Sequence, residues 1–247
     1  MRIECIFRTQ KIPVSYQYLM ASVIKGAISS SSEEKFEEIY HYEDKKTKQS
    51  KSFCFSVFMR QFEMVEDEFK TKDGFSLIIS TPDSDLLLHI YNGLLAKKAY
   101  QYKEYELFVL RVNLLKEQLP TKSLATFKTL SPIAIKDKAG KFLSPKMDVD
   151  EYTTNLNYTA NQTLQNVRGF GLKVPLVFTA IDMKRQVVKL KHEEFKALND
   201  EQILYVNAFR GVFELQGDPE DLALLTQTGI GLRRSSGFGN VQLIKER

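Results

Sequence analysis

Ile3, Cys5 and Phe7 alternate with Arg2, Glu4 and Arg8, which predicts a half-buried strand over Met1–Thr9. Leu19, Met20, Val23, Ile24, Ala27 and Ile28 then recur at helical spacing, leaving Tyr18, Ser22 and Lys25 on the opposite face. Ser31 and Glu34 match a capping box ahead of a short helix that carries Phe36, Ile39 and Tyr40 and ends near His41. A basic run from Glu43 to Lys51 precedes a β-rich segment, Ser52–Glu66, and a further strand, Phe75–Thr81. Pro82, Asp83 and Ser84 open another helix, with Leu87, Ile90, Tyr91, Leu94 and Leu95 on its apolar face and His89 off it. Tyr100–Leu115 returns as strand.

Strand, helix, strand, strand, helix, strand is the order of a ferredoxin-like domain, an antiparallel sheet with helices on one face. Pro120 and its polar neighbours mark a boundary. Beyond it, Leu124–Ile135 and Lys173–Lys191 read as strands, Asp148–Asn166 is compatible with a helix, and Asp218–Thr226 is a helix opened by an aspartate. A last strand covers Asn240–Lys245. No residue-level repeat is visible, so the pattern leaves open whether the second half is a diverged copy of the first.

With 247 residues, 43% apolar and 27% charged, the chain can bury a core in one large domain or two smaller ones. No apolar run approaches membrane-spanning length, and the N-terminus lacks the basic start and apolar block of a secretory signal. The expectation is a cytoplasmic protein without membrane contact. Cys5 and Cys54 sit among apolar neighbours in strand-like segments and are expected as buried thiols. With three histidines, no metal centre and no cofactor are expected. A net charge of +4 fits a polyanionic partner without requiring one.

Chemistry concentrates near the C-terminus, in TGIGLRRSSGFGNVQLI, where four of the twelve glycines bracket Arg233, Arg234, Ser235 and Ser236. Neither the dinucleotide fingerprint nor the triphosphate loop can be laid over Gly229, Gly231, Gly237 and Gly239. Paired guanidiniums, two hydroxyls and backbone amides around Gly231 still suit a phosphate. Arg168 and Lys173 flank a second tight turn, Gly169-Phe170-Gly171, which could hold a phosphate backbone or stack Phe170 on a base; a turn with an anchoring phenyl ring is the plainer reading.

Five segments, taken in order, resemble the CRISPR-associated repeat-RNA endoribonuclease family, the Cas-six group of repeat-associated (RAMP) proteins. They are IPVSYQYLMASVIKGAI, His41 ahead of KSFCFSVFM, NGLL at Asn92–Leu95, TFKTLSPIAI at Thr126–Ile135, and TGIGLRRSSGFG. The resemblance implies an α+β chain of two tandem ferredoxin-like (RRM-like) domains with antiparallel sheets, taken as residues 1–120 and 121–247. It also implies metal-independent cleavage of CRISPR transcripts within their repeats: a ribose 2′-hydroxyl attacks the adjacent phosphate, leaving a 2′,3′-cyclic phosphate and a 5′-hydroxyl. The implied partner is CRISPR repeat RNA, with other effector subunits and a monomeric or homodimeric state left open. A subunit of similar fold that binds CRISPR RNA without cutting it is the alternative.

His41 occupies the family's catalytic histidine position, and an imidazole with a pKa near ~6.5 can act as base or acid around neutrality. A helix end favours its charged form, whereas Lys45, Lys46, Lys48 and Lys51 disfavour it. Lys51 stands where the family often carries a lysine able to steady charge on the phosphate. Lys25 falls where some members have an active-site tyrosine, a departure that leaves Tyr18, Tyr40 and Tyr42 as other carriers of that role. Arg233, Arg234, Ser235, Ser236, Gly231, Arg168, Lys173, Lys45, Lys46 and Lys48 are the expected RNA contacts, while His89 and His192 are expected to have no chemical role.

Overall fold

A computed structural model describes residues 1–40, 50–191 and 203–247. His41, Tyr42, Lys45, Lys46, Lys48 and His192 lie outside the described residues.

The alternating start forms strand β1, Arg2–Arg8, with Ile3, Cys5 and Phe7 fully buried. A short β2, Lys11–Pro13, leads into helix α1, Gln17–Ser31, which buries the apolar stripe read from its spacing. Helix α2 covers Glu33–Tyr40, and its start corrects the expected capping box. Ser32, not Ser31, accepts from the Lys35 amide at 3.2 Å, because α1 extends through Ser31. Ser31 Oγ instead lies 3.1 Å from His89 Nδ1.

The β-rich segment resolves into β3, Cys54–Phe58, and β4, Phe62–Val65, followed by β5, Glu68–Thr71, and β6, Phe75–Ser80. Helix α3, Ser84–Ala96, starts at Asp83, whose carboxylate accepts from the Leu86 amide at 2.9 Å. The single strand expected over Tyr100–Leu115 is a hairpin of β7, Ala99–Tyr102, and β8, Tyr105–Leu115. These strands form a sheet of order β3-β6-β1-β8-β7, and β1 pairs antiparallel with both β6 and β8. With α1 and α3 as its crossovers, this is the ferredoxin-like topology, extended by β7 at one edge. The inserted β2, β4 and β5 make a separate three-stranded sheet.

The same succession recurs in β9 (Leu124–Thr129), α4 (Val149–Arg168), β10 (Val177–Lys191), β11 (Ile203–Gln216), α5 (Pro219–Thr228) and β12 (Val241–Glu246). Their order, β10-β11-β9-β12, repeats the first topology, so the protein holds two tandem ferredoxin-like folds. Phe127, Phe213, Phe178 and Tyr152 form a continuous aromatic stack in the second core, with neighbouring centroids 4.9 to 5.6 Å apart.

One unit comprises Met1–Lys51, Val57–Lys116 and Lys189–Leu204; the other comprises Ser52–Ser56, Glu117–Val188 and Tyr205–Arg247. Both cysteines are buried thiols. Among the described residues no helix is long and apolar enough to cross a membrane.

Candidate active site

Helical periodicity turns Lys25 outward from α1, because its neighbours Val23, Ile24, Ala27 and Ile28 take the buried face. Phe36 and Tyr40 stand one turn apart on α2, their rings 5.3 Å apart and nearly parallel. The Lys25 ammonium lies 5.3 Å from the centre of the Phe36 ring and 5.4 Å from that of Tyr40. Lys51 approaches the same Tyr40 ring at 3.5 Å. Lys25 and Lys51, 26 residues apart in sequence, thus converge on one aromatic side chain.

Each such contact contributes about 0.5–1 kcal/mol at an exposed site, enough to bias where an ammonium sits. Two like charges on one ring repel each other, and an anion placed among them relieves that repulsion. Tyr40 is covalently joined to His41, so the lysine pair is anchored at the residue preceding the expected proton carrier. The role of Tyr40 as the shared platform was missed from sequence, although the Phe36–Tyr40 spacing and the position beside His41 both pointed to it.

The glycine-rich loop divides its residues differently from the sequence expectation. Arg233 is exposed, with a left-handed backbone at φ 57°. Arg234, Ser235 and Ser236 form one 3₁₀ turn, which directs Arg234 inward. The Arg234 side chain is only 6% exposed and donates to Thr163 Oγ1 on α4. Burial pushes its pKa down to about 10. Arg234 is therefore an internal anchor and does not present its guanidinium to a phosphate at the surface.

Most of the loop's amides are also engaged inside the fold. Ile230 donates to Gly239 O, Leu232 to Ala134 O, Gly239 to Pro132 O and Asn240 to Ser131 Oγ, each at 2.9 Å. Gly239 has φ 71°, and a Cβ there would lie 2.0 Å from Ile230 O, so this crossing requires glycine. Gly231 is buried, and Ser235 and Ser236 are half-buried. What remains outward is Arg233 with two partly exposed serines.

Arg168 and Lys173 also have structural partners. Helix α4 ends at Gly169 in the left-handed conformation, and Arg168 folds back to donate to Phe170 O at 3.3 Å and Gly171 O at 2.6 Å. Its Nη2 also reaches Asp221 Oδ1 at 2.5 Å, and the Lys173 amide donates to the other carboxylate oxygen at 2.7 Å. Lys173 Nζ pairs with Glu220 and, at 3.4 Å, with Asp218. Arg168 and the Lys173 amide thus form a clamp between α4 and α5, since Asp221 is fully buried and needs both donors. Phe170 stays half exposed under the Arg168 guanidinium, 4.1 Å from its ring centre.

Comparison with known proteins places these features in a family context. The family model for CRISPR associated protein Cas6, C-terminal, matches residues 115–243, and that for CRISPR-associated protein Cas6, N-terminal, matches residues 11–113. The chain is 24% identical to a CRISPR-associated endoribonuclease Cas6 of Methanocaldococcus jannaschii, covering all of this chain and 94% of that one. It is 28% identical to the Cas6 endoribonuclease of Pyrococcus furiosus, covering 96% and 85%. The solved structure of a Cas6-related protein from Pyrococcus furiosus superposes with a TM-score of 0.80 at 21% identity, over 100% of this chain and 99% of that one.

Proposed function

Because this chain belongs to the Cas6 family of CRISPR-associated proteins, we propose that it is an endoribonuclease that cuts CRISPR precursor transcripts within their repeats to release guide RNAs. The observation that carries this reading to particular residues is the convergence of Lys25 and Lys51 on Tyr40, the residue before His41.

In this reaction the 2′-hydroxyl beside the scissile phosphate attacks phosphorus in line, closing a 2′,3′-cyclic phosphate as the bond to the 5′ oxygen breaks. One proton leaves the attacking hydroxyl and one must reach the departing oxygen. His41 takes the proton of the attacking hydroxyl and, as the imidazolium, gives one to the departing oxygen, proton transfer of this kind being worth typically ~10²–10⁴ in rate. Lys51 and Lys25 hold the phosphate and offset the charge that grows on its oxygens in the transition state. No step needs a metal ion. Arg233, with Ser235 and Ser236 beside it, grips the RNA.

The test is incubation with the cognate repeat RNA in the presence of a chelator. Cleavage persists, and the upstream product is lighter by one water than a linear 3′-phosphate. His41→Ala binds the repeat but does not cut it. Loss of cleavage on chelation, or full cleavage by His41→Ala, rejects the mechanism.

A further inference from the structure

Helix α1 carries a glycine that packing does not demand. A glycine inside a helix costs about 0.5–1 kcal/mol relative to alanine. Gly93 in α3 has a steric reason, since a Cβ there would lie 1.8 Å from Ala27 O where α1 and α3 cross. At Gly26 the heavy atoms nearest a Cβ among the described residues would be the Tyr100 ring at 3.5 Å and Lys97 Nζ at 3.8 Å, both ordinary contacts. The Gly26 position thus has room for a methyl group in ordinary contact with both. It forms part of a cleft of about 260 Å³ lined by Ser22, Lys25, Phe36, Lys97, Gln101 and Tyr102.

The lining has a consistent chemistry. It offers two ammonium groups, hydroxyls and aromatic surface, and among the described residues no carboxylate lines it. Lys25 belongs both to this cleft and to the cluster around Tyr40, which makes the two continuous.

We propose that this cleft is a subsite for one RNA nucleotide neighbouring the scissile phosphate, its own phosphate against Lys97 and its base against the aromatic lining. The inference rests on the function proposed for the adjoining site, and Gly26 is the residue that keeps the subsite open.

The experiment pairs cleft variants with repeat RNAs that carry an abasic residue at each position flanking the cut. Binding is read on RNA with a 2′-deoxy residue at the cut site, and cleavage on the ribose form. Wild type loses about tenfold in binding at one abasic position, the scale of one lost base contact. Gly26→Leu loses about the same on intact RNA and no longer responds to that abasic change. Lys97→Ala lowers the salt slope of binding by about 0.7. Gly26→Ala, which fits at ordinary contact distance, controls for folding by melting at or above the wild-type temperature. If Gly26→Leu binds like wild type, if its effect adds to the abasic effect, or if Lys97→Ala leaves the salt slope unchanged, the subsite is rejected. Wild type that binds in this pattern but never cuts would keep the subsite and reject the proposed function; wild type that cuts while Gly26→Leu matches it would do the reverse.

Discussion

Arg233 and Arg234 are adjacent in sequence, yet replacing them has different expected consequences. For Arg234 the informative change is Arg234→Met, which keeps most of the side-chain volume and removes the charge. Burial pushes the guanidinium pKa from its ordinary value to about 10. A depression of that size corresponds to about 3 kcal/mol against holding the charged form inside. The hydrogen bond to Thr163 returns about 1.5–3 kcal/mol. Thr163 itself stays satisfied without it, since its hydroxyl donates to Thr159 O at 2.8 Å. Because Arg234 makes a further interaction besides that to Thr163, Arg234→Met is expected to change stability by less than about 2 kcal/mol in either direction.

The sign of the pH dependence follows from the same shift. The folded pKa lies below the unfolded one, so above about pH 10 the unfolded chain holds more protons at this site. Wild-type stability then gains a rising contribution between pH 10 and the ordinary arginine pKa, and Arg234→Met lacks it. Urea unfolding followed by circular dichroism measures both effects, and repeat-RNA binding should be unchanged. A loss of 2 kcal/mol or more, or an RNA affinity that falls as it does in Arg233→Ala, would refute the reasoning.

Arg233→Ala should keep stability within about 0.5 kcal/mol and reduce the salt slope of RNA binding by about 0.7, measured by titration across ionic strengths. Gly93→Ala should destabilise by about 2–3 kcal/mol or more, because its Cβ would overlap the Ala27 carbonyl, and thermal unfolding reads the loss. Tyr152→Phe should stabilise by about 1–3 kcal/mol, since the buried hydroxyl has no hydrogen-bond partner among the described residues; a lower melting temperature would contradict this. Asp221→Ala should cost about 3–5 kcal/mol by leaving Arg168 and the Lys173 amide without their carboxylate, again read by urea unfolding.

The parts of the fold that were legible in sequence are those governed by local periodicity. The stripe of α1, the alternation of β1 and the aspartates ahead of α3 and α5 each act over one or two turns of chain, so their residues suffice. Harder to read were the β7–β8 hairpin and the inserted three-stranded sheet. Short strands bounded by charged turns carry little periodic signal, and their pairing joins residues as distant as Lys11 and Lys70.

Sequence by itself determined which side chains could do chemistry: a lysine off the apolar face of α1, an aromatic pair one turn apart on α2, and arginines set among glycines. Tertiary structure decided which of them face outward and which meet. The 3₁₀ turn sends Arg234 inside while Arg233 stays out, and Asp221 draws Arg168 and Lys173 into a clamp. Packing brings Lys25 and Lys51 to one tyrosine ring and leaves a cleft beside Gly26. The physical reason is that the residue types at a position set what it can donate, accept or repel. Burial and proximity depend on neighbours that the linear order does not place together.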